Sequence, residues 1–186
     1  MYLIWNRLKY VLSPQFDIYK VLAGLVRGKV ADIGFGTGFG MHLFSTIADE
    51  VYGYEIDEGA IRFAQEVFPL KNLNFQYGDI TKGIGIVGGG FDYVTMVDVI
   101  EHIPDDLAAI ENVKLMMAQG GTFICSTPNR LSRYRKSENH QREYSTKELE
   151  NLLGRAFYSV SLRNHCLEPI TSIYDNPIIA VCRRGT

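Results

Sequence analysis

Cysteine is scarce and scattered. Cys125, Cys166 and Cys182 lie far apart, with no Cys-x-x-Cys pair and no histidine at ligand spacing. That excludes a disulfide scaffold and a zinc module, and it predicts buried thiols in a reducing compartment. Long apolar runs are also missing. The N-terminal "MYLIWNRLKYVLSPQ" is interrupted by Asn6, Arg7 and Lys9, so it forms neither a bilayer span nor a signal-peptide core, and a cytoplasmic location is expected. Neither sign of charge prevails, and a formal net charge of −2 argues against a broad nucleic-acid-binding surface. With 46% apolar and 22% charged residues, disorder and fibrous structure are excluded, and 186 residues fit one domain spanning 1–186.

The patterning alternates. "QFDIYKVLAGLVR", residues 15–27, places its apolar residues along one helical face, and "KVADIGF" reads as a buried strand. Then follow "MHLFSTIAD" (helix), "EVYGYEID" (strand), "EGAIRFAQEVF" (helix), "NLNFQYGDI" and "FDYVTMVDVI" (strands), "DDLAAIENVKLMMAQGG" (helix) and "GTFICSTP" (strand). Such alternation predicts an α/β fold, a Rossmann-like, mostly parallel sheet of seven strands covered by helices on both faces. "KGIGIVGGG", residues 82–90, reads as a flexible loop. Ser145 and Glu148 have the spacing of a capping box for a helix in "STKELENLLGRAF", and "SVSLRNHCLE" and "NPIIAVCRR" should close the sheet as an antiparallel hairpin.

One turn asks for a ligand. In "VADIGFGTGFG", residues 30–40, Asp32 precedes Gly34, Gly36, Gly38 and Gly40, spaced two apart between a strand and a helix. Such a turn brings backbone N–H groups close to a bound molecule. The dinucleotide fingerprint Gly-x-Gly-x-x-Gly is not met, because Phe39 stands where its last glycine belongs. Glu55 follows about 20 residues later at a strand end, where a carboxylate can hold a ribose diol. Asp57, two residues on, is placed to cap the next helix.

The acid-x-Gly-x-Gly-x-Gly turn from Asp32 to Gly38 resembles the first motif of class I S-adenosylmethionine-dependent methyltransferases. "FDYVTMVDVIEHIPD" and "HQREYSTKEL" are similar to blocks of the ubiquinone-biosynthesis O-methyltransferase-like (type 11/23) branch, with Asp98 where that branch more often has Glu. The four ordered blocks span residues 30–150. The resemblance implies S-adenosyl-L-methionine as cofactor and S-adenosyl-L-homocysteine as product. Its contacts would come from Asp32, Gly34, Phe35, Gly36, Thr37, Gly38, Glu55, Ile56, Asp79, Ile80, Met96 and Val97. Asp32 would serve the methionine end through backbone and water, Glu55 the ribose, and Asp79 the adenine amino group with Ile80 on the ring.

Methyl transfer from a sulfonium asks mainly for positioning, and a base only where the acceptor must lose a proton. His102 and His140 are the catalytic candidates, since imidazole titrates near neutrality; His42 and His165 are expected to be structural or surface residues. No metal ligand cluster is apparent, so a metal-independent reaction is expected. Residues 1–28 form a helical lid in this reading, with Tyr10, Phe16 and Tyr19 as core or contact residues. Residues 129–144 form a substrate-side loop whose Arg130, Arg133, Arg135 and Lys136 suit an anionic small-molecule acceptor or simply face solvent. A non-catalytic S-adenosylmethionine-binding partner subunit is the alternative from another class. An NAD(P)-dependent oxidoreductase is disfavoured by the glycine spacing and the want of a plausible Tyr-x-x-x-Lys pair. Nucleic acid is disfavoured as a partner by the want of an Asn/Asp-Pro-Pro-Tyr/Phe element.

Overall fold

The computed structural model describes residues 14–83, 90–132 and 137–185. Seven strands form one sheet: β1 (Lys29–Ile33), β2 (Glu50–Glu55), β3 (Leu73–Tyr77), β4 (Phe91–Val97), β5 (Met117–Thr127), β6 (Ser159–Arg163) and β7 (Ile178–Arg183). The order is β3-β2-β1-β4-β5-β7-β6. The first five run parallel, and β7 is antiparallel to both β5 and β6, as the sequence pattern anticipates. Between them lie α1 (Pro14–Ala23), α2 (Phe39–Phe44), α3 (Glu58–Val67), α4 (Asp106–Met116) and α5 (Thr146–Leu153).

Two apolar clusters account for the alternation. One gathers Ile110, Val113, Phe123, Leu149 and Leu153, and the other Leu22, Val26, Met41, Phe44 and Val51. Because β1, β4 and β5 carry buried residues on both sides, their sequences read as continuous apolar runs. Helix starts are set by side chains: Asp57 accepts from Gly59 N and Ala60 N, Asp105 from Ala108 N, and Ser145 with Glu148 completes the capping box.

Some boundaries differ from the sequence expectation. α1 stops at Ala23, where Gly24 leaves the helix and the Arg27 guanidinium donates to the Ala23, Gly24 and Val26 carbonyls. α4 passes directly into β5 because Met116 and Met117 are both buried and Met117 registers against Phe91. Cys125 and Cys182 are buried thiols, but Cys166 is exposed on the β6–β7 loop, contrary to the expectation for all three. Residues 1–13 of the expected lid at 1–28, residues 84–89 of the expected loop and the basic residues Arg133, Arg135 and Lys136 lie outside the described residues. Among the described residues no helix is long and apolar enough to cross a membrane.

Asn129, just past β5, ties the β6–β7 loop to the sheet. Asn129 is fully buried; its amide donates to the Ile173 and Asp175 carbonyls, and its backbone N–H to Asn176 Oδ1. Asn129→Ala removes both amide bonds and leaves a gap at a fully buried position. The expected outcome is a loss of about 2–3 kcal/mol in urea unfolding, against a few tenths for an exposed control on α3 such as Gln65→Ala.

Candidate functional site

The strand order reverses between β1 and β4, and ligands of open α/β sheets bind at the carboxyl ends of the strands there. At this point Gly34, with φ +69°, packs so closely on Val99 that an added Cβ would stand 2.5 Å from Val99 Cγ2. Gly36, with φ +55°, faces open space. The glycines are therefore not all cleared for one ligand. Gly38 faces Ala64 and Phe75 and lines neither cavity beside the turn; Gly40 makes room for the Tyr19 ring.

Two cavities flank the turn. The larger, about 350 Å³, is lined among others by Glu55, Ile56, Asp79, Ile80, Val99 and His102. Its floor is apolar where Ile80 and Ile103 lie, and Glu55 stands at the end of β2. The Glu55 carboxylate is already set by backbone donors: Oε2 accepts from Gly36 N (2.9 Å), and Oε1 from Ile56 N (2.8 Å) and Asp57 N (3.1 Å). A carboxylate offers roughly four acceptor sites, so a diol binding through both hydroxyls must replace one of these amides. Asp79 caps the 3₁₀ turn Ile80–Lys82, accepts from Thr81 and pairs with Lys82 at 3.0 Å, and these contacts hold its carboxyl below the usual range.

The smaller cavity, about 120 Å³, is bounded by Gln15, Phe16 and Tyr19 of α1 and by Phe35, Gly36, Thr37 and Val97. Asp32 and Met96 line neither cavity. Met96 lies on β4 with its side chain in the apolar cluster. Asp32 is wholly buried, with Thr95 Oγ1 donating at 2.7 Å and Tyr19 Oη at 3.1 Å. Burial pushes its pKa from 3.8 up to about 7, against the lowering effect of those two donors.

A cluster of ionisable groups follows β4. Asp98 adopts φ 52°, accepts from Ser126 Oγ at 2.7 Å and is hydrogen-bonded by Gln15; its carboxyl is pushed up by burial. Glu101, almost fully buried, is hydrogen-bonded by Thr127 and raised from 4.5 to about 8, chiefly by burial. His102 Nδ1 lies 3.0 Å from the Asn139 carbonyl. His140 Nδ1 lies 3.0 Å from Glu143 Oε1, and both of those side chains are over nine-tenths buried. The two imidazoles meet edge to face, 4.9 Å between centroids. In neutral rings, the facing oxygens place the hydrogen on Nδ1 and leave Nε2 as the basic nitrogen.

The two histidine candidates are thus brought together although 38 positions apart. The segment carrying His140 is fastened to β4's exit: Gln141 N and Arg142 N donate to the Glu101 carbonyl, and Arg142 and Tyr144 bind Asp106. Glu101 does not stand out in the sequence; by sequence Glu143 and Arg142 are open to pairing with each other or with the substrate, and in the structure Glu143 meets His140 and Arg142 meets Asp106. One ligand atom each from Glu101, His102 and His140 lies within 4.8 Å of the others, a set able to hold a metal ion, which spacing along the chain concealed. Among the basic residues, Arg130 pairs with Glu148 and Arg142 with Asp106. His42 is stacked on Phe68 and His165 is exposed, both apart from the site.

A glycine turn at the strand-order reversal, acids closing β1, β2 and β3, and an open face at Gly36 fit an adenosyl cofactor and mark the class I S-adenosylmethionine-dependent methyltransferase architecture. A family model described as "Methyltransferase domain" matches residues 26–168, and the chain belongs to that family. A probable S-adenosylmethionine-dependent methyltransferase of Mycolicibacterium smegmatis is 28% identical over 149 residues, covering 77% of this chain and 57% of that protein. A ubiquinone biosynthesis O-methyltransferase of Ruegeria sp. is 30% identical over 129 residues, covering 67% and 52%. The chain thus spans about half the length of the curated relatives it matches. Among solved structures, an S-adenosylmethionine-dependent methyltransferase from Clostridium acetobutylicum superposes with TM-score 0.74 at 15% identity, covering 98% of this chain and 97% of that one. The DhpI–SAH complex does so with TM-score 0.70 at 23% identity, covering 95% and 87%.

Stability should depend on pH through Asp32. The native state keeps a proton that the unfolded state releases, so this contribution to stability is present at low pH and lost as pH rises from 3.8 through about 7. In Asp32→Asn the decline across that window should shrink by on the order of a few kcal/mol, read from urea midpoints at several pH values between about 4 and about 8.

Proposed function

We propose that this chain transfers a methyl group from S-adenosylmethionine to a small or medium acceptor, at an oxygen atom. The observation that carries this reading is the juxtaposition of the adenosyl-sized cavity with the buried His140–Glu143 pair and His102 at one end of the sheet.

The cofactor, when bound, supplies an already activated methyl group with a neutral thioether as leaving group. The chain's own residues bind and orient. Glu55 would hold the ribose hydroxyls, Ile56 and Ile80 the faces of the adenine, and Thr37 and the Gly36 backbone the turn beneath it. Positioning two reactants and excluding water supplies most of the acceleration in such a displacement. A hydroxyl acceptor must also lose its proton. His140 is suited to take it, because Glu143 orients the ring through Nδ1 and stabilises the imidazolium that forms, as a carboxylate does behind a catalytic histidine elsewhere. Its neighbour His102 borders the larger cavity and can pass the proton to solvent, being exposed.

The Glu101–His102–His140 set favours a second reading, in which these three residues would hold a divalent cation that could supply Lewis-acid activation of the acceptor oxygen. A chelator separates the two: retained turnover supports proton transfer by histidine alone, and loss of turnover rescued by Mg²⁺ supports the cation. Arg130 is suited to an anionic acceptor, its pairing with Glu148 being half exposed and readily exchanged.

Calorimetric titration tests the cofactor. S-adenosylmethionine should bind and NAD⁺ should not, and Glu55→Ala should weaken binding by about 1–3 kcal/mol as charged hydrogen bonds are lost. His140→Gln should leave cofactor affinity unchanged and lower kcat by about 10²-fold or more. Binding by the wild type with no transfer to any acceptor would fit a non-catalytic partner subunit instead.

A further inference from the structure

The acid that opens the glycine turn is sealed away from the ligand. Asp32 has no exposed surface, and it lines neither cavity. Both of its hydrogen-bond donors are neutral hydroxyls, and among the described residues no cation pairs with it. A buried carboxylate in that state is costly, which is the physical origin of its raised pKa.

Tyr19 links Asp32 to the lining of the smaller cavity. Its ring borders that cavity, and its hydroxyl donates to Asp32 Oδ2 at 3.1 Å. The ring is admitted by Gly40: an added Cβ there would lie 2.1 Å from Tyr19 Cε1, 2.3 Å from Cδ1 and 2.4 Å from Cζ. A phenol that gives its hydrogen to a carboxylate keeps its oxygen lone pairs for another donor. The larger cavity, with Glu55, suits the nucleoside, so the smaller one beyond Gly34 and Gly36 is left for the charged amino-acid tail.

We propose that Tyr19 is a positioning residue for the cofactor's ammonium group, relaying the negative charge of Asp32 into the smaller cavity, and that Gly40 is glycine in order to admit it. This inference rests on the S-adenosylmethionine reading of the site. It also couples α1 to the ligand, because the helix is held against the turn through the same hydroxyl. A cation at the cavity end of the relay stabilises ionised Asp32, and ionised Asp32 in turn strengthens the Tyr19 hydrogen bond that keeps α1 in place.

The test compares two ligands that differ in the tail. S-adenosylhomocysteine carries the ammonium and carboxylate; 5′-methylthioadenosine keeps the adenosine and the thioether sulfur and has neither. For Tyr19→Phe, calorimetry should show S-adenosylhomocysteine affinity falling about tenfold, as for one lost charged hydrogen bond, with methylthioadenosine affinity unchanged. Because both ligands are read on the same variant, methylthioadenosine serves as the internal control for folding. An equal loss for both ligands would overturn the inference in favour of a purely structural tyrosine, and so would an undiminished affinity for S-adenosylhomocysteine. Failure of the wild type to bind either ligand would overturn the cofactor reading itself and the inference with it.

Discussion

The contact between Gly34 and Val99 organises everything at the working end of this protein. It joins the first residue after β1 to the exit of β4 across the place where strand order reverses, and it tolerates no side chain at Gly34. On one side it leaves the cavity floored by Ile80 and edged by Glu55; on the other it leaves the small apolar cavity under α1. Beyond this contact the Gly36 N–H donates to the Glu55 carboxylate, which ties the turn after β1 to the end of β2.

A second set of constraints assembles the ionisable cluster. The turn after β4 supplies Glu101 and His102, and the segment returning toward α5 supplies His140 and Glu143. Two backbone bonds to the Glu101 carbonyl and the Arg142 and Tyr144 bonds to Asp106 hold them together. Burial brings Asp98, Glu101 and Glu143 close to two imidazoles and holds the Asp98 and Glu101 carboxyls above their ordinary range. Buried acids are expensive unless compensated, and their concentration here separates this end of the sheet from the well-packed remainder.

Much of the architecture was legible in the chain itself. Period and punctuation sufficed for the strands and helices because each apolar run is bounded by caps and glycines, and Asp57 and Ser145 signal helix starts on their own. The boundaries that moved, at Gly24 and at Met116–Met117, were decided by packing that local pattern does not encode. The turn at Asp32–Gly40 announced a ligand, yet its evenly spaced glycines concealed different duties: Gly34 answers to Val99, Gly38 to Ala64 and Phe75, and Gly40 to Tyr19. Met96, a site candidate by position, packs in the apolar cluster.

The sequence alone determined the α/β alternation, the cofactor turn and the acid at the end of β2, because these depend on interactions among residues close along the chain. Only the tertiary structure decided that Asp32 meets Tyr19, that His102 and His140 touch, and that Glu101 joins them, since those pairings span 13 to 39 positions. Side-chain contacts of that separation are set by which elements pack together, and no periodicity along the chain records them.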